Sequence, residues 1–207
     1  MARLDWRRRY ELQHWASEHL YTLNAEHPDD WPDSDRLPID TVFPIYCGEY
    51  APGLTGLYAI LNGLRLLLAE LVPLKPSEEQ MLLEVGWTFL SGREPLAPHR
   101  GIRVNTMVRM AEAMAFALSR RRADWLQCDR VELREYSARA TETLLERSAV
   151  AKRVVLILLG RGHYTIVRGY TRDSWLLFDA TGRQWMLRRA NGRSVIIKPI
   201  LMLSRQR

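Results

Sequence analysis

Residues 160–182 have the sequence GRGHYTIVRGYTRDSWLLFDATG, which predicts two short β-strands joined by a turn. The first predicted strand covers residues 163–170 and the second covers residues 174–179. His163 therefore opens one strand and Asp179 closes the next. The pair can serve a nucleophile, because a carboxylate that orients an imidazole prepares it to move a proton. A buried structural histidine and an aspartate in an ordinary turn are the alternative interpretation.

The elements around this stretch place helices first and strands afterwards. Residues 54–72 are the most apolar in the chain and predict a central buried helix that Pro73 ends. A second helix is predicted to begin at Ser77, with Gln80 closing a capping box, and residues 91–101 are predicted to form a loop. The other predicted helices cover residues 3–23, 105–121 and 138–148.

The remaining strands are predicted at residues 39–46, 125–133, 154–159 and 194–203. Residues 154–159 form a continuous apolar run, which is typical of a strand buried on both faces. Helices followed by strands predict an α+β domain, in which the helices pack against a mostly antiparallel sheet from the C-terminal half. We expect one globular domain of 207 residues, with an amphipathic helix and a Pro/Asp-rich connector in residues 1–38 and the main body in residues 39–207.

Composition and charge limit the classes of protein to which this chain can belong. The apolar fraction of 47% and the charged fraction of 26% are those of an ordinary globular chain. The net charge is +6, but the basic residues are scattered, which argues against specific binding of nucleic acid. The arginines at positions 120–122 are expected to be solvated. The sequence predicts no cofactor and no metal site, and it leaves the oligomeric state open.

The sequence favours a cytoplasmic protein without a membrane span. The basic start, MARLDWRRR, is not followed by an apolar core of the kind that a signal peptide has, although leaderless export stays open. The two cysteines, Cys47 and Cys128, lack metal-ligand spacing and predict free thiols in a reducing compartment. We expect Cys128 to be structural.

The order of these parts resembles the papain-like cysteine peptidases, and among them the bacterial branch that includes the leader-cleaving domains of peptide exporters. The residues that carry the resemblance are a Cys-Gly pair at Cys47, the helix text LYAILNGL from Leu57, the Gly-His-Tyr around His163 and the Phe-Asp that ends in Asp179. The resemblance covers residues 39–182. It implies a papain-like fold and a catalytic triad of Cys47, His163 and Asp179 that acts on a peptide or protein substrate.

The nucleophile departs from the pattern of that family. There, the cysteine stands about five residues before the position matched to Leu57, and this count lands on Pro52. Either the turn is longer here and Cys47 still reaches the helix end, or the nucleophile is lost and the chain is an inactive papain-like module that binds a peptide or protein. Thr55 is a third candidate nucleophile, although a threonine hydroxyl needs a stronger base than an internal histidine usually gives.

Overall fold

The computed structural model describes residues 52–69, 72–94, 96–122, 126–132, 137–159, 163–170, 174–180, 185–187, 189–190, 193–194 and 198–205. The predicted helix at 3–23, the connector before residue 39, the predicted strand at 39–46 and Cys47 lie outside the described residues. Of the helices in the described residues, none is both long and apolar enough to cross a membrane.

The helical part begins with a 3-10 turn at Pro52–Leu54 that leads directly into helix α1, Thr55–Leu68. Helices α2, Pro76–Arg93, and α3, the single turn Ala97–Arg100, follow. Helix α4 is Val104–Arg122, and helix α5 is Ala138–Val150. Ser137 caps α5, since its hydroxyl accepts a hydrogen bond from the Ala140 amide at 3.1 Å.

The strands of the described residues form a six-stranded sheet and a separate two-stranded ribbon. In chain order they are β1, Leu126–Arg130; β2, Val154–Leu159; β3, His163–Tyr170; β4, Ser174–Phe178; β5, Trp185–Leu187; β6, Arg189–Ala190; β7, Arg193–Ser194; and β8, Lys198–Arg205. The order across the sheet is β1-β8-β2-β3-β4-β5, and these neighbours pair antiparallel. Strands β6 and β7 pair with each other. The described residues therefore form an α+β structure, as the sequence predicted.

Strand β2 lies between β8 and β3 and is buried on both faces, which confirms the prediction for its apolar run. Val154 and Leu156 belong to the large core that includes α1, α2 and α4. Val155 and Ile157 belong to a smaller core on the other face, where Leu145 of α5 packs. Alternating side chains of one strand thus bury against helices on opposite sides.

Helix α1 is the centre of the larger core and packs on β2, β3 and β8. Ile60, Leu61 and Leu64 are fully buried. Gly63 faces the sheet so closely that a Cβ there would lie 2.7 Å from Leu203 Cδ1. The absence of a side chain at this position lets the helix axis approach β8 and β2, and this packing fixes where the N-terminus of α1 meets the sheet.

Several predicted boundaries are wrong. Helix α1 ends at Leu68, not at residue 72, and the predicted loop 91–101 instead contains the end of α2 and the turn α3. The single strand predicted over 194–203 is two elements, β7 and β8. In the region predicted as a strand over 125–133, β1 ends at Arg130, before Val131 and Glu132, and Asp179 lies just beyond β4.

The start of α2 also differs from the prediction. Its N-cap is Lys75, with Pro76 at the first helical position, where the missing amide hydrogen costs nothing. Glu78, and not Gln80, closes the capping box, because its carboxylate accepts a hydrogen bond from the Lys75 amide at 2.8 Å. The fixed φ of Pro76 suits the first helical position, so the helix begins one residue before the predicted Ser77.

Arg122 corrects the expectation that arginines 120–122 are all solvated. Its side chain is 8% exposed and pairs with the Glu78 carboxylate, to which Nε donates at 2.7 Å. The guanidinium also donates to the backbone carbonyls of Val72 and Pro73. The last residue of α4 thereby holds the first turn of α2 and the segment before it.

Candidate active site

The sheet brings His163 and Asp179 together, as the sequence predicted. Ile166 of β3 pairs with Phe178 of β4, so the start of β3 lies beside the end of β4. The Nε2 atom of His163 is 2.7 Å from Oδ2 of Asp179. The aspartate side chain is fully buried, whereas the histidine side chain is 26% exposed. The pair therefore has its carboxylate inside the protein and its imidazole at the surface.

This geometry assigns the ring nitrogens of His163 different tasks. When the Asp179 carboxylate is ionised it only accepts hydrogen bonds, and the hydrogen of this contact then belongs to Nε2 of the imidazole. The other nitrogen, Nδ1, then carries the lone pair and can accept a hydrogen bond or a proton. A buried carboxylate that orients a partly exposed imidazole is an arrangement compatible with a general base.

The N-terminus of α1 lies at the same end of β3. The Tyr164 backbone amide donates to Oγ1 of Thr55, the first residue of α1, at 3.3 Å across 109 residues of chain. Thr55 is 1% exposed. Since the Tyr164 nitrogen belongs to the peptide that links it to His163, the histidine backbone lies within one peptide unit of this contact. His163 is therefore next to the start of the central helix.

The N-terminus of α1 is electrostatically positive. Leu54 occupies the N-cap position without a side-chain capping bond, and the first turn of α1 holds no acidic residue. Backbone amides at a helix N-terminus carry the positive end of the helix dipole and stabilise a nearby anion, such as a thiolate or a developing oxyanion. The candidate site thus combines the His163–Asp179 pair with the positive end of a helix.

Tyr164 holds the start of β3 from its other side. Its ring is buried, and its hydroxyl donates to the Ile102 carbonyl at 2.6 Å. Burial, with a smaller contribution from the Glu94 carboxylate, raises the pKa of Tyr164 to about 12. The phenol therefore stays neutral near pH 7 and acts as an anchor, not as an acid or base.

Of the two cysteines, only Cys128 lies in the described part of the chain. It is on β1, half-buried, with a free thiol whose Sγ lies 3.6 Å from the Ala111 carbonyl. Burial, followed by the carboxylates of Glu112 and Asp129, raises the pKa of Cys128 to about 12. A thiol of that pKa is protonated and unreactive at neutral pH. These contacts agree with the structural role that we expected.

Away from the His163–Asp179 pair, the described residues contain a surface pocket but no candidate metal site. Among these residues, no group of three or more His, Cys, Asp or Glu side chains is arranged to hold a metal ion. A surface pocket of about 440 Å³ lies at the start of α4, and its lining residues are Arg93, Glu94, Arg103, Val104, Asn105 and Thr106. Glu94 already accepts hydrogen bonds from the Arg103 amide and the Thr106 hydroxyl. This pocket includes neither His163 nor Asp179.

The sequence did not predict the structural role of Thr55. Counting residues placed Pro52 at the nucleophile position, but Pro52 begins the 3-10 turn, and Thr55 is the residue whose side chain reaches β3. The available signal was a hydroxyl residue directly before Gly56 at the start of the apolar helix. Packing explains why residue 56 is a glycine, since a Cβ there would lie 2.7 Å from Met107 Sδ.

Comparisons with known proteins found no matching family model, no matching curated protein and no matching solved structure.

Proposed function

We propose that this chain is a papain-like cysteine peptidase or a related thiol acyl-transfer enzyme that acts on a peptide or amide bond. The observation that carries the proposal is the His163–Asp179 pair, with 2.7 Å between Nε2 and Oδ2, placed next to the N-terminus of α1. A base at the start of a strand and a helix N-terminus beside it are the two features that a thiolate nucleophile needs.

The roles follow from the geometry of the pair. Cys47, in the segment before α1, is the proposed nucleophile, and Nδ1 of His163 takes the proton of its thiol. The thiolate forms a bond to the carbonyl carbon of the substrate, and the carbonyl electron pair moves to oxygen, near the positive end of α1. The carbon–nitrogen bond then breaks, and the leaving amine takes the proton from His163. Water, or another acceptor, releases the acyl group from the cysteine.

Asp179 has an indirect part in this scheme. Its buried carboxylate holds the Nε2–H of His163 and stabilises the imidazolium that forms while the ring carries the extra proton. Full burial keeps water from competing for that hydrogen bond. The proposed substrate is a peptide or protein, because the chemistry is that of amide cleavage or transfer.

A second candidate function is an inactive papain-like module that binds a peptide or protein. The observation that favours it is Thr55, which is the first residue of α1 and the side chain that lies against the start of β3. With Pro52 at the position where the resemblance expects the cysteine, and a threonine at the helix end, the base has no strong nucleophile there. The two candidates differ in one measurable property, the reactivity of Cys47.

The test is labelling of the full chain with a small thiol-directed electrophile, followed by mass-spectrometric assignment of the labelled cysteine. We expect Cys47 to react at least about a hundredfold faster than Cys128, and to slow to an ordinary thiol rate in His163→Ala. Cys128 is the internal control for access and unfolding. If both cysteines are labelled equally slowly, and the rates are the same in wild type and His163→Ala, the enzyme proposal is wrong and the binding module remains.

A further inference from the structure

We infer that Thr55 is a positioning residue that holds His163 at the N-terminus of α1. The inference rests on the proposed use of His163 as the base, and it assigns a part of that site to a residue that is not in the predicted triad. The hydroxyl oxygen of Thr55 accepts the hydrogen bond of the Tyr164 amide, and through this contact the helix and the histidine strand keep a fixed relative position.

The contact lies where β3 no longer has β4 beside it, while β2 still pairs with β3 on the other side. β4 ends at Phe178, opposite Ile166, so Tyr164 lies beyond the last residue that β4 pairs. A backbone amide that is buried without an acceptor costs on the order of 1–3 kcal/mol, which makes a side-chain acceptor at this point valuable. Thr55 supplies that acceptor.

The same peptide unit leads directly to the histidine. Tyr164 is held at three points: its amide by Thr55, its hydroxyl by Ile102, and its ring against Gly56, where a Cβ would lie 3.2 Å from Tyr164 Cδ2. Two of these points, Thr55 and Gly56, belong to the first turn of α1. His163 precedes Tyr164 immediately, so its Cα has little freedom to move away from the helix end.

This restraint also determines whether the imidazole reaches Asp179. The His163–Asp179 contact requires the ring to project from the start of β3 toward the end of β4. A shift of about 1 Å in a catalytic group can lower a rate by about a hundredfold. The Thr55 contact acts on the backbone amide that follows His163, which makes Thr55 a positioning residue.

Two substitutions of Thr55 separate the effect of its hydroxyl oxygen from the effect of its side-chain shape. Thr55→Val keeps the branched shape and removes the acceptor, whereas Thr55→Ser keeps the acceptor and removes a methyl group. Thr141→Val is the matched control, because Thr141 is buried to 2% exposure in α5, on the other face of the sheet. Circular dichroism and thermal unfolding report whether each variant keeps its fold.

The readout is the tautomer of His163, measured by long-range ¹H–¹⁵N correlation spectra at about pH 9, where an ordinary imidazole is neutral. His163→Ala assigns the signals. We expect the wild type, Thr55→Ser and Thr141→Val to show the hydrogen on Nε2 alone, and Thr55→Val to show averaging between the two nitrogens. A Thr55→Val spectrum identical to the wild type, or averaging in both Thr55 variants, overturns the inference.

Amide exchange gives a second measurement that needs no variant. We expect the Tyr164 amide to exchange at least about a hundredfold more slowly than an exposed amide, because the Thr55 oxygen protects it. Fast exchange at Tyr164 with protected neighbours in β3 overturns the inference, even if Thr55→Val does not fold.

Labelling of Cys47 distinguishes this inference from the proposed function. If Thr55→Val changes the tautomer and also slows labelling of Cys47 at least about tenfold, both stand. If it changes the tautomer while labelling of Cys47 is slow in the wild type too, Thr55 positions His163 in a site that does not use Cys47, and only the thiol chemistry is lost.

Discussion

The imidazole of His163 and the carboxylate of Asp179 are 16 residues apart in sequence and 2.7 Å apart in space. The β3–β4 pairing produces this contact, since the first residue of β3 and the residue after β4 lie at the same end of two antiparallel neighbours. Two strands that follow each other in the sequence thus bring a histidine and an aspartate together from one short stretch of chain. The helix end beside them comes from a different part of the chain.

Replacing Asp179 by asparagine should damage the site with little change in shape. Asparagine carries no negative charge and has one acceptor oxygen in place of two, so it stabilises the imidazolium less and can turn its amide nitrogen, a donor, toward the ring. We expect His163-dependent labelling of Cys47 to slow by about 10²-fold or more. Asp129→Asn on β1 is the control, since the Asp129 carboxylate accepts from Gln127 and not from His163. Wild-type rates in Asp179→Asn would mean that the carboxylate does not orient the base.

A cysteine at position 55 tests whether the start of α1 is the reacting position. In a Cys47→Ala background, Thr55→Cys places a thiol within one peptide unit of His163 and at the positive end of the helix. We expect this thiol to react with a small electrophile at least about a hundredfold faster than Cys128, whose pKa is about 12.

The same variant with His163→Ala is the control for the base. It should bring the rate at position 55 down to that of an ordinary buried thiol. If position 55 is unreactive with His163 present, the nucleophile approaches from elsewhere, and Cys47 remains the candidate.

The sequence predicted those parts of the fold that depend on local pattern. The limits of β2 and β3 were predicted correctly, because an apolar run between charged residues and a Gly-bounded β-branched run each define a strand without outside help. The His163–Asp179 pair followed from the same two strands.

Features that depend on distant contacts were not predicted. The Thr55–Tyr164 hydrogen bond joins residues 109 apart, and the Glu78–Arg122 pair joins residues 44 apart. Neither contact produces a periodic pattern in the sequence from which it could be predicted. The single strand predicted over 194–203 was wrong for a related reason, since β7 is two residues long and exists only through its pairing with β6.

The two glycines of α2 should respond oppositely to alanine. A Cβ at Gly86 would lie 2.3 Å from Leu57 Cδ1, which is in the buried contact with α1, so Gly86→Ala should lower the free energy of unfolding by about 1–3 kcal/mol. At Gly92 no atom lies within 4 Å of the added Cβ, and Gly92→Ala should raise it by up to about 1 kcal/mol through helix propensity. Urea unfolding measures both. Equal effects would show that α2 does not pack on α1 through Gly86.

The Glu78–Arg122 ion pair should make the free energy of unfolding depend on pH in the acidic range. The hydrogen bond from Arg122 is the largest cause that lowers the pKa of Glu78, which falls from 4.5 to about 2 although burial opposes the change. Because the folded pKa is below the unfolded one, the contribution of this carboxylate is complete above about pH 4.5 and is lost as the pH falls toward 2. We expect Glu78→Gln to lower the free energy of unfolding by about 2–3 kcal/mol at pH 7 and by clearly less at pH 3.

Urea unfolding at pH 7, 5, 4 and 3 measures this difference between wild type and variant. Glu84→Gln is the matched control, because Glu84 is an exposed carboxylate on the same helix that accepts a hydrogen bond from Gln80. The difference in unfolding free energy between Glu84→Gln and the wild type should be small and nearly constant from pH 7 to pH 3. A Glu78→Gln difference that stays constant from pH 7 to pH 3 would mean that the ion pair with Arg122 does not hold α2 to α4 in solution.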